Sequence, residues 1–175
     1  MSAIGTLARW DRDASLACNR ANQRLVGSFF AAVSRLGDGW FWFALMAVLP
    51  LIEGPTGART SMAMLATGVA ATALYKLMKL VIHRPRPCDA DPAVRLTVPP
   101  LDRFSFPSGH TLHAVSFTVL ACDAHPDLIW LLVPFATMVA LSRLVLGLHY
   151  LSDVMVGAVL GAVLGAAGAA LVAGV

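Results

Sequence analysis

The chain has 175 residues, of which 58% are apolar and 13% charged, and its formal net charge is +3. A soluble domain of this length needs many more charges to cover its surface, so the composition excludes an ordinary soluble protein and makes lipid the solvent. Three widely spaced cysteines, Cys18, Cys88 and Cys122, exclude a disulfide framework. The histidines and carboxylates show no metal-ligand spacing, so no metal site and no cofactor is expected.

The first segment, residues 1–36, interleaves Arg9, Arg12, Arg20, Arg24 and Arg35 with Leu16, Leu25, Val26, Phe29, Phe30 and Val33. It lacks the charged start, apolar run and cleavage site of a signal peptide. The pattern predicts an amphipathic helix lying in the membrane interface. A short crossing over 25–36 is the alternative. Residues 37–175 read as one transmembrane domain, with candidate spans over 39–52, 60–82, 108–122, 128–148 and 154–175. The expected fold is all-α, a multi-pass bundle of five or six spans.

Between the spans, "EGPTGART" (53–60) is a Gly/Pro turn and "DAHPD" (123–127) a tight one. "HRPRPCDADPAVRLTVPPLDRFSFP" (83–107) is the one long polar connection, of a length that in a compact protein is usually functional. In the last span Gly157, Gly161 and Gly165 recur every four residues, a ridge that admits another helix at close range. Its partner is either a helix of the same chain or a second copy in a homodimer.

Three polar clusters stand out against this apolar background: "KLVIHRPRP" (79–87), "PSGH" (107–110) and "SRLVLGLHYLSD" (142–153). Counting crossings brings all three to one membrane face. Cations at membrane depth are costly and default to function. Lys79, Arg86 and Arg143, if they converge, form a pocket for an anion, and guanidinium forks match phosphate oxygens. "PSGH" reads as a helix start, whose free N–H groups favour an anion, with Gly109 allowing close approach and Ser108 adding a hydroxyl. His149 and Asp153, four residues apart, share a helix face, so the carboxylate can orient the ring for attack. The two histidines suggest a division of labour: His149 attacks phosphorus, and His110 protonates the departing oxygen.

Taken together, Lys79 with Arg86-Pro87, then Pro107-Ser108-Gly109-His110, then Ser142-Arg143 with His149 and Asp153, resemble the three motifs of the type 2 phosphatidic acid phosphatase (PAP2) superfamily in order and spacing. That superfamily also includes vanadium haloperoxidases and bacterial acid phosphatases. "SRLGDGW" (34–40), ahead of the first long span, is similar to small bacterial members. The resemblance implies a helical core with its active site at one membrane face and a phosphohistidine at His149 supported by Asp153. It also implies leaving-group protonation by His110 and phosphate contacts from Lys79, Arg86, Ser108, Gly109 and Arg143. Arg84 and His113 fall outside the motif positions; His113 is expected to pack or to line the site.

The expected function is therefore a membrane lipid phosphatase without a metal requirement. Candidate substrates are undecaprenyl diphosphate, phosphatidylglycerol phosphate, phosphatidic acid and lipid A phosphate. A small anion transporter or channel would need polar residues through the membrane's depth, and here they stop at one face. A vanadium-dependent oxidase is disfavoured because those enzymes are soluble. The expected partners are the lipid substrate and the surrounding lipids, with no nucleic acid. The expected location is the bacterial inner membrane. Five spans put every Lys and Arg except Arg59 on the catalytic side, which by the positive-inside rule would be cytoplasmic. Many of those charges belong to the motifs and the long loop rather than to topology, and small bacterial relatives work at the outer face. A periplasmic active site is therefore expected.

Overall fold

The computed structural model describes residues 3–173, so Met1, Ser2, Gly174 and Val175, the ends of the predicted first segment and last span, lie outside the described residues. The described chain is all helical: α1 (Ala3–Asn19), α2 (Arg24–Arg35), a π-helical turn (Leu36–Trp40), α3 (Phe41–Ile82), a short α4 (Pro87–Ala90), α5 (Gly109–Ala124), α6 (Ile129–Val145) and α7 (Leu151–Ala173).

α3 is a hairpin. At Gly54 the backbone turns to φ 57°, ψ −132°, a conformation suited to glycine, with prolines at 50 and 55 on either side. Ser61 Oγ donates to the Met46 carbonyl at 2.8 Å. A straight helix would hold residues that far apart in sequence at about 22 Å. The predicted turn at 53–60 is therefore where the chain doubles back, giving two arms, 41–53 and 55–82.

The bundle is built around α5. The second arm of α3 runs antiparallel to it, as shown by Thr60 at His125, Gly68 at Phe117, Thr72 at His113 and Tyr75 at Gly109. α7 runs parallel to it, and this contact uses the glycine ridge. A Cβ on Gly157, Gly161 or Gly165 would stand 2.7, 2.5 or 2.6 Å from the carbonyl oxygens of Ser108, Leu112 and Ser116. The ridge packs against the chain's own α5, the first of the two partners that the repeat of small residues allowed. Trp42, Met46, Met64, Phe117, Leu120, Leu132 and Phe135 form the main apolar core between α3, α5 and α6.

Among the described residues three stretches are long and apolar enough to cross a membrane: Arg24–Ala90, which holds both arms of α3, Pro126–Val145 and Leu151–Ala173. α5, with 16 residues, is shorter than an ideal span. Its neighbours wrap it, so its length is not set by lipid contact. The passes alternate between a site end, near residues 38, 79, 109, 143 and 151, and a far end where Thr60 meets His125. Among the described residues the chain runs between these two ends five times. The alternative crossing over 25–36 does not form, because α2 sits at the site end with Ala31 packed on Leu146 and Leu148.

α1 also belongs to the site end. Its buried polar residues bond the loops that carry the motifs. Asp11 accepts from Arg84 and from both the backbone N–H and hydroxyl of Ser152, Ser15 accepts from Leu151 N–H, and Asn19 donates to the carbonyls of Arg95 and Val145. Trp10 and Arg12 face outward.

Candidate active site

The three clusters meet. Lys79 (6% exposed), Arg86 (1%), Arg143 (2%) and His149 (1%) come from the end of α3, the start of α4, the last turn of α6 and the turn before α7. Together with Gly109 and His110 at the start of α5 they line one cavity of about 1030 Å³. The turn that delivers His149 depends on Gly147 at φ 72°, where a Cβ would strike Val94 at 2.3 Å. Leu148 and His149 N–H groups both donate to the Arg143 carbonyl at 3.1 Å, so the end of α6 is closed by the residue that performs the next task.

Two predicted site residues, the phosphate contact Ser108 and the histidine-supporting Asp153, stand behind the cavity wall instead of lining it. Ser108 is fully buried; its hydroxyl bonds Thr111 at 3.0 Å and its N–H donates to the Asp153 carbonyl at 3.0 Å. Its hydroxyl points to Thr111 rather than into the cavity, and the residue joins the start of α5 to that of α7. Asp153 is also fully buried, and its Oδ2 lies 3.6 Å from His149 Nδ1, beyond hydrogen-bond distance. It accepts instead from Arg84 Nη1 at 2.7 Å and from Tyr150 N–H at 2.9 Å.

The ring of His149 is nevertheless defined. Arg86 Nη1 lies 3.1 Å from His149 Nε2. A guanidinium can only donate, so Nε2 accepts and the ring proton sits on Nδ1, facing Asp153. Burial first, then the charges of Arg143, Arg86 and Lys79, hold the imidazole pKa well below its ordinary value of 6.5. His149 is thus neutral at pH 7, with its lone pair toward the cations. Among the described residues, Arg143 Nε and His149 Nδ1 are buried polar atoms without a hydrogen-bond partner. Orphans of this kind mark a place a ligand can satisfy.

Three charged residues of the site have no place in the motif reading. Asp102 bridges Lys79 Nζ (2.6 and 2.7 Å) and Arg86 Nη2 (2.6 Å). Burial opposes its charge, but Lys79 and Arg86 hold its carboxyl below the usual range. Asp38 lines the cavity and bonds His110. Arg84 ties Asp153 to Asp11 and stacks over Tyr150 at 4.0 Å. The doubled "RPRP" was the one available signal for Arg84. His113, expected to pack or line, does both: it lines the cavity, and its ring nitrogens contact the carbonyls of Gly109 and Gly68.

From the cations the cavity runs between the arms of α3 and α5 along Trp42, Met46, Met64, Leu65, Val69 and Phe117. One end suits an anion and the other an apolar chain. No group of three or more His, Cys, Asp or Glu that could hold a metal exists among the described residues.

A cationic cavity with two histidines, set at one end of a membrane bundle and opening along an apolar groove, defines an integral-membrane phosphatase for amphiphilic substrates. The profile of the PAP2 superfamily matches residues 60–174, and the chain belongs to that superfamily. It is 35% identical over 135 residues to decaprenylphosphoryl-5-phosphoribose phosphatase of Mycobacterium tuberculosis, covering 77% of this chain and 73% of that one. It is 40% identical over 127 residues to the Mycolicibacterium smegmatis protein of the same description, covering 72% and 68%. In fold it matches the crystal structure of a transmembrane PAP2 type phosphatidylglycerolphosphate phosphatase from Bacillus subtilis, with a TM-score of 0.75 and 24% identity over 97% of this chain and 85% of that one. The protein is a PAP2-type membrane lipid phosphatase.

Proposed function

We propose that the protein removes the terminal phosphate from a polyprenyl-linked phosphate or diphosphate. The observation that carries this reading is the single cavity that joins the Lys79, Arg86 and Arg143 cations to an apolar groove. The groove takes the first units of the lipid chain and the cations take the phosphate. The mycobacterial relatives are described as acting on a phosphate at the end of a polyprenyl-linked sugar, which has this same combination of long apolar chain and terminal phosphate.

In the proposed cycle, phosphate oxygens replace Asp102 on Lys79 and Arg86 and engage the free Nε of Arg143. The Nε2 lone pair of His149 attacks phosphorus as the bond to the leaving oxygen breaks, and His110 gives that oxygen its proton. Positive charge then grows on the His149 ring, and Asp153, 3.6 Å away, is placed to take up the Nδ1 proton as a hydrogen bond. The cationic cradle holds the equatorial oxygens as charge spreads over them. Water next attacks the phosphohistidine, passing its proton to His110, and phosphate leaves.

The test is phosphate release by the purified protein from a panel of polyprenyl diphosphate, polyprenyl-linked sugar phosphate, phosphatidic acid and phosphatidylglycerol phosphate. Turnover concentrated on the polyprenyl compounds supports the substrate, and exclusive turnover of a glycerolipid refutes it. An acid-labile phosphoenzyme that disappears in His149→Ala tests the intermediate. We place the site at the outer face of a bacterial plasma membrane. A variant retaining only Cys88 should then react with an impermeant thiol reagent on intact cells, whereas reaction only after lysis would reverse the orientation.

A further inference from the structure

Besides its cations, the cavity contains a carboxylate for which phosphate binding has no use. Asp38 projects into it from the π-helical turn between α2 and α3. Its placement is built into the backbone. Gly39 takes φ 143°, a value side chains rarely adopt, and a Cβ on Gly37 would stand 2.9 Å from Val139 of α6. A negative charge here repels a phosphate unless it is committed to a specific partner. That partner is His110, whose Nε2 bonds Asp38 Oδ1 across 72 residues of sequence.

The surroundings of His110 show what the carboxylate supplies. The ring stands on the first turn of α5, at the positive end of the helix, with Arg143 of α6 facing it and His113 one turn along. Lys79 and Arg86 line the same cavity, and Asp102 is spent on them. Asp38 is the acceptor bonded to the His110 ring. A neutral imidazole is a very weak acid, so a histidine that protonates a leaving oxygen must start as imidazolium, and Asp38 is placed as the counter-ion of that charge.

We propose that Asp38 is the positioning residue for the leaving-group acid, holding the His110 ring oriented through its Nε2–H and, once a phosphate dianion offsets the surrounding cations, protonated, so that the Nδ1 proton is the one transferred. This rests on His110 being that acid. In the first step the imidazolium gives its proton to the departing oxygen as the P–O bond breaks and the His149–P bond forms. That leaves a neutral ring still bonded to Asp38. In the second step the attacking water gives its proton to His110 as the His149–P bond breaks, and the ion pair is restored. Protons balance over the two steps.

The experiment compares Asp38→Asn, His110→Ala and the double variant on an alkyl phosphate and on p-nitrophenyl phosphate, with kcat and KM for each. Asp38→Asn keeps the shape and loses the charge. It should lower kcat on the alkyl phosphate on the order of tenfold to a hundredfold, leave KM within about twofold, and lower kcat far less on p-nitrophenyl phosphate, whose leaving group needs little protonation. In a His110→Ala background the same substitution should change nothing further. Retained p-nitrophenyl turnover also shows that the variant is folded. Equal losses on both substrates, a change confined to KM, or losses that multiply with those of His110→Ala would overturn the proposal. Equal losses on both substrates in His110→Ala itself would instead remove His110 from the acid role, so the two failures are distinguishable.

Discussion

Asp102 predicts a gain of affinity. Its carboxylate sits on Lys79 at 2.6 Å and on Arg86 at 2.6 Å, two of the three cations that must hold phosphate. An incoming anion therefore has to displace an anion already in place. The Asp102 side chain is 38% exposed, so solvent screens the bridge, and each of its two pairs is worth no more than roughly 1 kcal/mol. Asp102→Asn keeps the size of the side chain and removes the competing charge. Free of about 1–2 kcal/mol of competition, phosphate and vanadate should inhibit about fivefold to thirtyfold more tightly, at roughly tenfold per 1.4 kcal/mol. The assay is the inhibition constant of each anion against p-nitrophenyl phosphate turnover, at low and at high salt. The gain should shrink as salt screens the pair in the parent protein. Unchanged or weaker inhibition in Asp102→Asn would show that the carboxylate helps to hold the anion instead of competing with it, and the displacement argument would fail.

Three other outcomes follow from the geometry. Gly161→Ala should destabilise the detergent-solubilised protein by about 1–3 kcal/mol, because its Cβ would stand 2.5 Å from a backbone oxygen that cannot rotate away; melting at the parent temperature would count against the close α5–α7 contact. His149 should stay neutral as the pH falls through 6.5, since a pKa held below its ordinary value delays protonation to more acidic solution. Its NMR signal, identified by loss in His149→Gln, should not titrate near 6.5, and a midpoint there would contradict the buried cationic setting. Activity should survive EDTA and be inhibited by vanadate, which adopts the five-coordinate geometry of the transferring phosphoryl group. Loss with EDTA and recovery with magnesium would mean that the cradle of Lys79, Arg86 and Arg143 is not sufficient.

The sequence alone determined the solvent, the helical class and the three clusters, because these are local or periodic properties. Hydropathy reports burial in lipid whatever the helix touches, and the Gly/Pro turns at 53–60 and 123–127 are reversals written in single residues such as Gly54. Counting crossings was then enough to bring Lys79, Arg86, His110, Arg143 and His149 to one end. What only the tertiary structure decided are the contacts between charges far apart in the chain. Asp38 meets His110 across 72 residues, Arg84 meets Asp153 across 69, and Asp11 meets Ser152 across 141. An aspartate in a turn or loop carries no local mark of the cation it will meet, so "SRLGDGW" stood out without showing what Asp38 would bond, and Asp102 was invisible in the pattern. Distances of a few ångströms are equally beyond sequence. Spacing put His149 and Asp153 on one face, but packing set them 3.6 Å apart and gave the carboxylate to Arg84. The glycine ridge shows the same division: the repeat of small residues announced a close helix contact, and only the fold showed that the partner is α5 of the same chain.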